Sequence, residues 1–213
     1  MQKTLRIVYD IHGKYEHFKR LLVDNLIQLG DFGFHIAHEL FKHERTNNQY
    51  VLFGNHDDYT KVYDEHSLYD ITTIDTGNYA ILCIRGAWSI DKIYRTEGKD
   101  WWNEEELTYK QMQNATDIIV KWKEELEEKK EIIIISHDCP MFVKKELFGY
   151  ENKTITNQFL EHVQEIVKPS LWFFGHYHTD VTYFSNDTFF ECKGELGYTD
   201  LEIDKFEVTK YKL

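Results

Sequence analysis

The chain reads as an α/β protein with mixed β-sheets, and three observations lead there. Short apolar, β-rich runs recur along its 213 residues, at Leu5 to Val8, Leu26 to Leu29, Tyr50 to Phe53, Ile132 to Ile135 and Leu171 to Phe174, which is the pattern of strands. Segments of helical spacing alternate with the first of these runs, the arrangement of parallel pairing. Each run stops at a polar string: Asp10-Ile11-His12, Gly30-Asp31, Gly54-Asn55-His56-Asp57, Ser136-His137 and Gly175-His176-Tyr177-His178. In α/β sheets ligands bind in the crevice beyond the carboxyl ends of the strands, so five polar loops placed there converge on one site.

In chain order, the spacing predicts a short helix over Tyr15 to Leu22, a strand over Asn25 to Leu29 and a helix over Ala37 to Lys42, a βαβα pattern. Strands are expected at Ile71 to Ile74 and Tyr79 to Ile84, the second ending in Arg85-Gly86-Ala87 and a polar, aromatic loop from Trp88 to about Asn103. From Glu104 to Lys130 the pattern is helical, with Ala115, Ile119, Trp122 and Leu126 on one face and Asn103 or Thr108 as the cap of one long or two short helices. The charge run Lys121 to Glu131 reads as a solvated helix face. A helix over about Ile155 to Val167 precedes Pro169, and strands follow near Val181 to Phe184, Thr188 to Cys192 and Phe206 to Lys210, so that the second half is partly antiparallel.

With 42% hydrophobic and 15% aromatic residues the chain can bury one sizeable core, and two prolines without a Gly/Ser-rich tract mark no linker; residues 1–213 are expected to form a single catalytic domain. No apolar run approaches the roughly 20 residues of a membrane span. Lys3 leads straight into the first strand pattern without a signal-like stretch, and Cys83, Cys139 and Cys192 are scattered with no CxxC pair, so a reducing, cytoplasmic setting is expected. A net charge of -12 argues against a grip on long nucleic acid. Two divalent ions in a cleft would bring that total to about -8 where it matters, which admits a small phosphorylated substrate.

The strings offer Asp, Asn and His but no thiolate, a donor set for hard or borderline divalent ions: Mn, Fe or Zn rather than an all-oxygen Mg site. In Asp10-x-His12 and His176-x-His178 alternate residues of an extended segment would point the same way, each pair toward one ion. Two metals roughly 4 Å apart can clamp a phosphoryl group, acidify a bridging water and favour in-line attack. Singly, a GD at a strand end is commonly a turn; GNHD and GHYH are more specific, and all five in order point to a dinuclear phosphoester hydrolase.

The order DxH, GD, GNHD, H, GHxH, from Asp10 to His178, resembles the calcineurin-like metallophosphoesterase superfamily. That resemblance implies two mixed sheets packed as a sandwich and flanked by helices, in four α/β/β/α layers. It also implies one metal held by Asp10, His12, Asp31 and His178, a second held by Asp31, Asn55, His137 and His176, and Asp31 as the bridge. His56 would contact the substrate, as general acid to the leaving oxygen or as a charge stabiliser. The protein Ser/Thr phosphatase branch reads GDxxDRG where this chain has Gly30-Asp31-Phe32-Gly33-Phe34-His35, so His56 needs another partner here. The stretch from Gly86 through Arg95 to Glu105 is similar to phosphoesterases of bacteriophages and bacterial genomes.

In that stretch Arg95 could clamp phosphate and Trp101 or Trp102 could stack a base, or the arginine could lie on the surface and the tryptophans pack inside. His17, His43, His66 and His162 read as surface residues; His35 and His38 follow the second string closely but fit a solvent-facing or core role better. Phosphomonoesters, small diesters such as a cyclic nucleotide, and dinucleotide polyphosphates all fit the donor set. A nuclease is the alternative within the enzyme class, and a non-catalytic protein-binding scaffold the alternative outside it, disfavoured because every matching position keeps a competent side chain.

Overall fold

A computed structural model describes residues 3–33, 36–126 and 130–213. In chain order the elements are Lys3–Val8 (β1), Tyr15–Phe18 (α1), Asn25–Gln28 (β2), Ile36–Glu44 (α2), Gln49–Val51 (β3), Ile71–Asp75 (β4), Tyr79–Ile84 (β5), Tyr109–Glu124 (α3), Glu131–Ser136 (β6), Met141–Phe148 (α4), Ile155–Val167 (α5), Leu171–Phe174 (β7), Val181–Ser185 (β8), Thr188–Cys192 (β9), Tyr198–Ile203 (β10) and Glu207–Tyr211 (β11). They build a four-stranded sheet, β10-β1-β2-β3, and a seven-stranded sheet, β11-β4-β5-β6-β7-β9-β8. β1, β2 and β3 are parallel, as are β5, β6, β7 and β9, while β10, β4, β11 and β8 run antiparallel to their neighbours.

Three apolar cores account for the layering. The inner faces meet through Leu5, Ile7, Ile27 and Leu29 of one sheet and Ile81, Cys83, Ile133 and Ile135 of the other. The outer face of the large sheet, with Ile134, Trp172 and Phe174, is covered by Ala115 and Ile119 of α3 and Leu160 and Val163 of α5. The outer face of the small sheet, with Val8, Leu26 and Val51, is covered by Phe18 of α1 and Phe41 of α2. The run Ile132 to Ile135 is continuous because a parallel strand buried on both faces has no solvent side. The result is the expected four-layer arrangement of two mixed sheets between helices.

Local signals hold where they are strong. α3 is one helix, and Thr108 is its cap: its hydroxyl accepts from Gln111 N while the Gln111 side chain reaches back, a capping box. The helix expected over Tyr15 to Leu22 forms as α1 followed by a 3₁₀ turn at Lys19–Leu21. Residues 127–129 of the charge run lie outside the described residues, as does His35. α4 and β10 have no counterpart in the sequence reading. Among the described residues no helix is long and apolar enough to cross a membrane.

Candidate metal centre and cleft

All five polar strings follow parallel strands, β1, β2, β3, β6 and β7, and therefore gather at one edge of the two sheets. Backbone bonds lace them together: Ile11 N and His12 N donate to Asp31 O at 3.1 and 2.9 Å, and Gly175 N donates to His137 O at 3.0 Å. Asp57, fully buried, accepts from Asp31 N at 2.8 Å, Gly54 N at 2.7 Å and Gly33 N at 3.0 Å, tying the GD loop to the GNHD loop. Asp57 thus holds these loops together.

The chain reaches the site through strained turns. His12, Asp31, His176 and His178 all have positive φ, at 45°, 54°, 70° and 49°. Non-glycine residues cost about 1–3 kcal/mol in such regions and cluster where function requires them. These angles correct the extended-segment expectation for Asp10-x-His12 and His176-x-His178. Beyond the strand ends the backbone turns left-handed, and His176 and His178 are aimed into two different groups of ligand atoms.

One group is Asp10, His12, Asp31 and His178; the other is Asp31, His137 and His176; within each, one ligand atom per residue lies within 4.8 Å of the rest. Asp31 belongs to both. Glycines make room: a Cβ on Gly54 would lie 2.4 Å from Asp31 Oδ1 and 2.5 Å from His137 Nε2, and one on Gly175 would lie 2.3 Å from Asp10 Oδ2. Those side chains would meet any substituent at these positions first.

Two buried polar atoms without an aligned hydrogen bond test whether a cation fits. His137 Nδ1 faces the Leu29 carbonyl at 3.1 Å, and a carbonyl only accepts, so Nδ1 carries hydrogen and Nε2 is left for another partner. That Nε2 is 3.2 Å from Asp31 Oδ1 yet makes no aligned hydrogen bond. Asn55 Oδ1 is likewise buried without a partner. Its amide is turned by a relay: Ser89 Oγ donates to Glu105 Oε2 at 2.6 Å and so offers a lone pair to Asn55 Nδ2 at 3.1 Å, while Ser89 N donates to Glu105 Oε1 at 2.9 Å. A buried amide oxygen without a donor is rare in folded proteins, and a divalent ion would satisfy it and would also find the Nε2 lone pair of His137 once the proton there has left.

The carboxylates and imidazoles of the cluster offset one another's charge. Burial works against ionised Asp31, but His137 beside it holds the carboxyl well below the usual carboxylate range. Burial alone would depress His137; Asp31 and Asp10 hold it up at about 10. Burial also pushes His12 and His176 below the ordinary imidazole value, whereas the bond to Asp10 raises His178. A cation entering the site would therefore displace a proton from His137.

His56 stands at the rim of the cluster, its backbone N donating to Asp31 Oδ1 at 2.8 Å and its ring 5.1 Å from that of His12. Its Nε2 is 2.8 Å from Arg95 Nη2, and Arg95 is itself paired with Asp91 at 2.8 Å. Arg95 is thus a partner of the His56 ring in a chain that has no second aspartate in the string after Gly30-Asp31. Burial, opposed by Asp31 and helped by Arg95, lowers the pKa of His56.

Of the tryptophans, Trp102 packs into the core under the small sheet, and neither it nor Trp101 lines the cleft; Trp88 does. His66 is buried, contrary to the surface reading, because its Nε2 sits 3.2 Å from His38 Nδ1; His38 in turn lies 3.4 Å from Asp57. His17, His43 and His162 are exposed. Sequence reasoning missed Ser89 and Glu105, which have no strand-end spacing to mark them. Ser89→Ala removes the acceptor that turns the Asn55 amide and is expected to weaken binding of one cation roughly 10–100-fold, measured by calorimetric titration with manganese.

Residues 8–180 match the model of the calcineurin-like phosphoesterase family. No curated protein matches the chain. Among solved structures, the phosphopantetheinyl hydrolase of Mycobacterium tuberculosis superposes with a TM-score of 0.55 at 14% identity, over 91% of this chain and 90% of its own. A Staphylococcus aureus protein described as a 5′-nucleotidase superposes with a TM-score of 0.53 at 13% identity over 99% of this chain, which spans 54% of that protein's length. At such identities both likenesses concern the fold. The family pattern runs from the end of β1 to just past the last histidine of the cleft, and on that match the chain belongs to the calcineurin-like phosphoesterase family of hydrolases.

Proposed function

We propose that this chain hydrolyses phosphate esters of small molecules with the help of two divalent cations, Mn, Fe or Zn. Asp10, His12, Asp31 and His178 would hold one, and Asp31, Asn55, His137 and His176 the other. The observation that carries this reading is Asp31, shared by two groups of ligand atoms beside Asn55 Oδ1, a buried acceptor that no protein donor satisfies, and His137 Nε2, a buried ring nitrogen with no aligned hydrogen bond. When bound, such cations neutralise phosphoryl charge and acidify water.

The protein's own part is to place charge and a proton donor. Arg95, tethered by Asp91, offers its guanidinium to the phosphoryl oxygens, for which it is a better partner than a neutral imidazole. Once Arg95 turns to phosphate, His56 Nε2 is released from the hydrogen bond it accepts from Arg95, takes up a proton from water, and can pass that proton to the leaving oxygen. Residues 1–213 act as one catalytic unit in this reading. Cys83, Cys139 and Cys192, all buried and free, suit a reducing compartment such as the cytoplasm.

The test is hydrolysis of p-nitrophenyl phosphate and bis-(p-nitrophenyl) phosphate with added manganese. Turnover of at least one, lost on chelation, is the expected result; turnover of the monoester alone makes the protein a phosphatase, and turnover of the diester makes it a phosphodiesterase or nuclease. No turnover by protein that holds its ions overturns the reading in favour of a binding scaffold.

A further inference from the structure

The cleft has a volume of about 540 Å³, more than a phosphoryl group needs, and much of its wall away from the metal cluster is apolar. The rings on that wall are not those the sequence singled out. α4 and the turn after it bring Phe148 and Tyr150 beside Tyr177 of the GHYH loop. Phe148 and Tyr177 are stacked, with centroids 3.9 Å apart and planes 7° from parallel; Tyr150 lies 6.3 Å from Tyr177 at 26°. Tyr177 is held there by its hydroxyl, which donates to Asp138 Oδ1 at 2.7 Å, and its ring is 5.1 Å from that of His176. The stack is therefore joined directly to the candidate metal ligands.

Tyr150 is 49% exposed, and Ile90, which lines the cleft together with Trp88, is 71% exposed. Apolar surface left open beside a polar cluster marks a place where a ligand buries it. Phe148 and Tyr177 cover one face of each other, and Tyr150, tilted 26° from Tyr177, leaves an exposed ring beside them, a surface on which a flat partner can stack. Resting on the hydrolase reading above, we propose that the cleft selects phosphate esters whose alcohol carries a planar aromatic ring, seated against Tyr150 and the Phe148–Tyr177 pair. A nucleobase and an aryl phosphate share this chemistry.

The experiment compares kcat/KM with manganese for adenosine 5′-phosphate, O-phosphotyrosine and glycerol 3-phosphate in wild type and Tyr150→Ala. Beside it, saturation-transfer NMR follows adenosine and N-acetyltyrosinamide, neither bearing phosphate, on the metal-free protein. At least one aromatic ester is expected to exceed glycerol 3-phosphate by roughly tenfold or more, and Tyr150→Ala to cut that ratio about tenfold, the usual weight of one stacking contact. The matching ring should show saturation transfer that weakens in the variant. Preference for the nucleotide alone names a base as the partner, and preference for O-phosphotyrosine alone names an aryl group. Equal kcat/KM for all three esters overturns the aromatic slot and leaves phosphoester hydrolysis standing. If no ester is hydrolysed the hydrolase reading fails instead, and the NMR comparison then decides the slot: ring signals indifferent to Tyr150→Ala overturn it.

Discussion

Asp31→Asn is expected to reduce turnover by on the order of 10³-fold or more and to leave the protein short of its full complement of cations. Asp31 is the residue common to both groups of ligand atoms, and the substitution takes away its charge and one of its two acceptor oxygens. Outer-shell partners of metal ligands typically cost roughly 10–100-fold when lost, and a residue touching both ions should cost more. The Asn oxygen can still accept from His56 N, a bond now 2.8 Å long, so the loop itself has a partner to keep. Metal analysis of the purified variant beside its kinetics makes the check. A variant that retained two ions and near wild-type turnover would remove Asp31 from the bridging position.

His56→Ala should separate the two halves of the site: turnover falls about 10²–10⁴-fold, the usual weight of general acid–base assistance, while metal content stays at the wild-type level. The reason is positional. His56 touches the cluster through its backbone N, which alanine retains, and presents its ring to Arg95, outside either group of ligand atoms. Loss of metal along with activity would show the imidazole to be part of the cation site. Unchanged turnover would pass the proton-donating role to another group.

The legible parts of this protein are those with a local cause. Parallel strands buried on both faces favour near-continuous apolar residues, so β6 and β7 stand out in the sequence, β1 and β2 show shorter apolar stretches around Arg6 and Gln28, and the polar strings behind them could be assigned to one sheet edge. β10 is different: up to the buried Ile203 its residues alternate between exposed and half-buried, and it pairs with Lys3–Val8 from the far end of the chain. α4 is eight residues long with only Val143 and Lys144 buried, too little periodicity to announce a helix.

The same division runs through the site. Residue types and their order sufficed for the class of chemistry, because a donor set of Asp, Asn and His at strand ends constrains what can bind there. Long-range packing supplied the rest. His176 and His178 part company through left-handed backbone angles that spacing does not encode. Asn55 is aimed by Ser89 and Glu105, 34 and 50 positions along the chain, and His56 meets Arg95 from 39 positions away. Strands and donor types follow from neighbours in sequence, whereas the aim of each side chain follows from hydrogen bonds that exist once distant loops have been brought together.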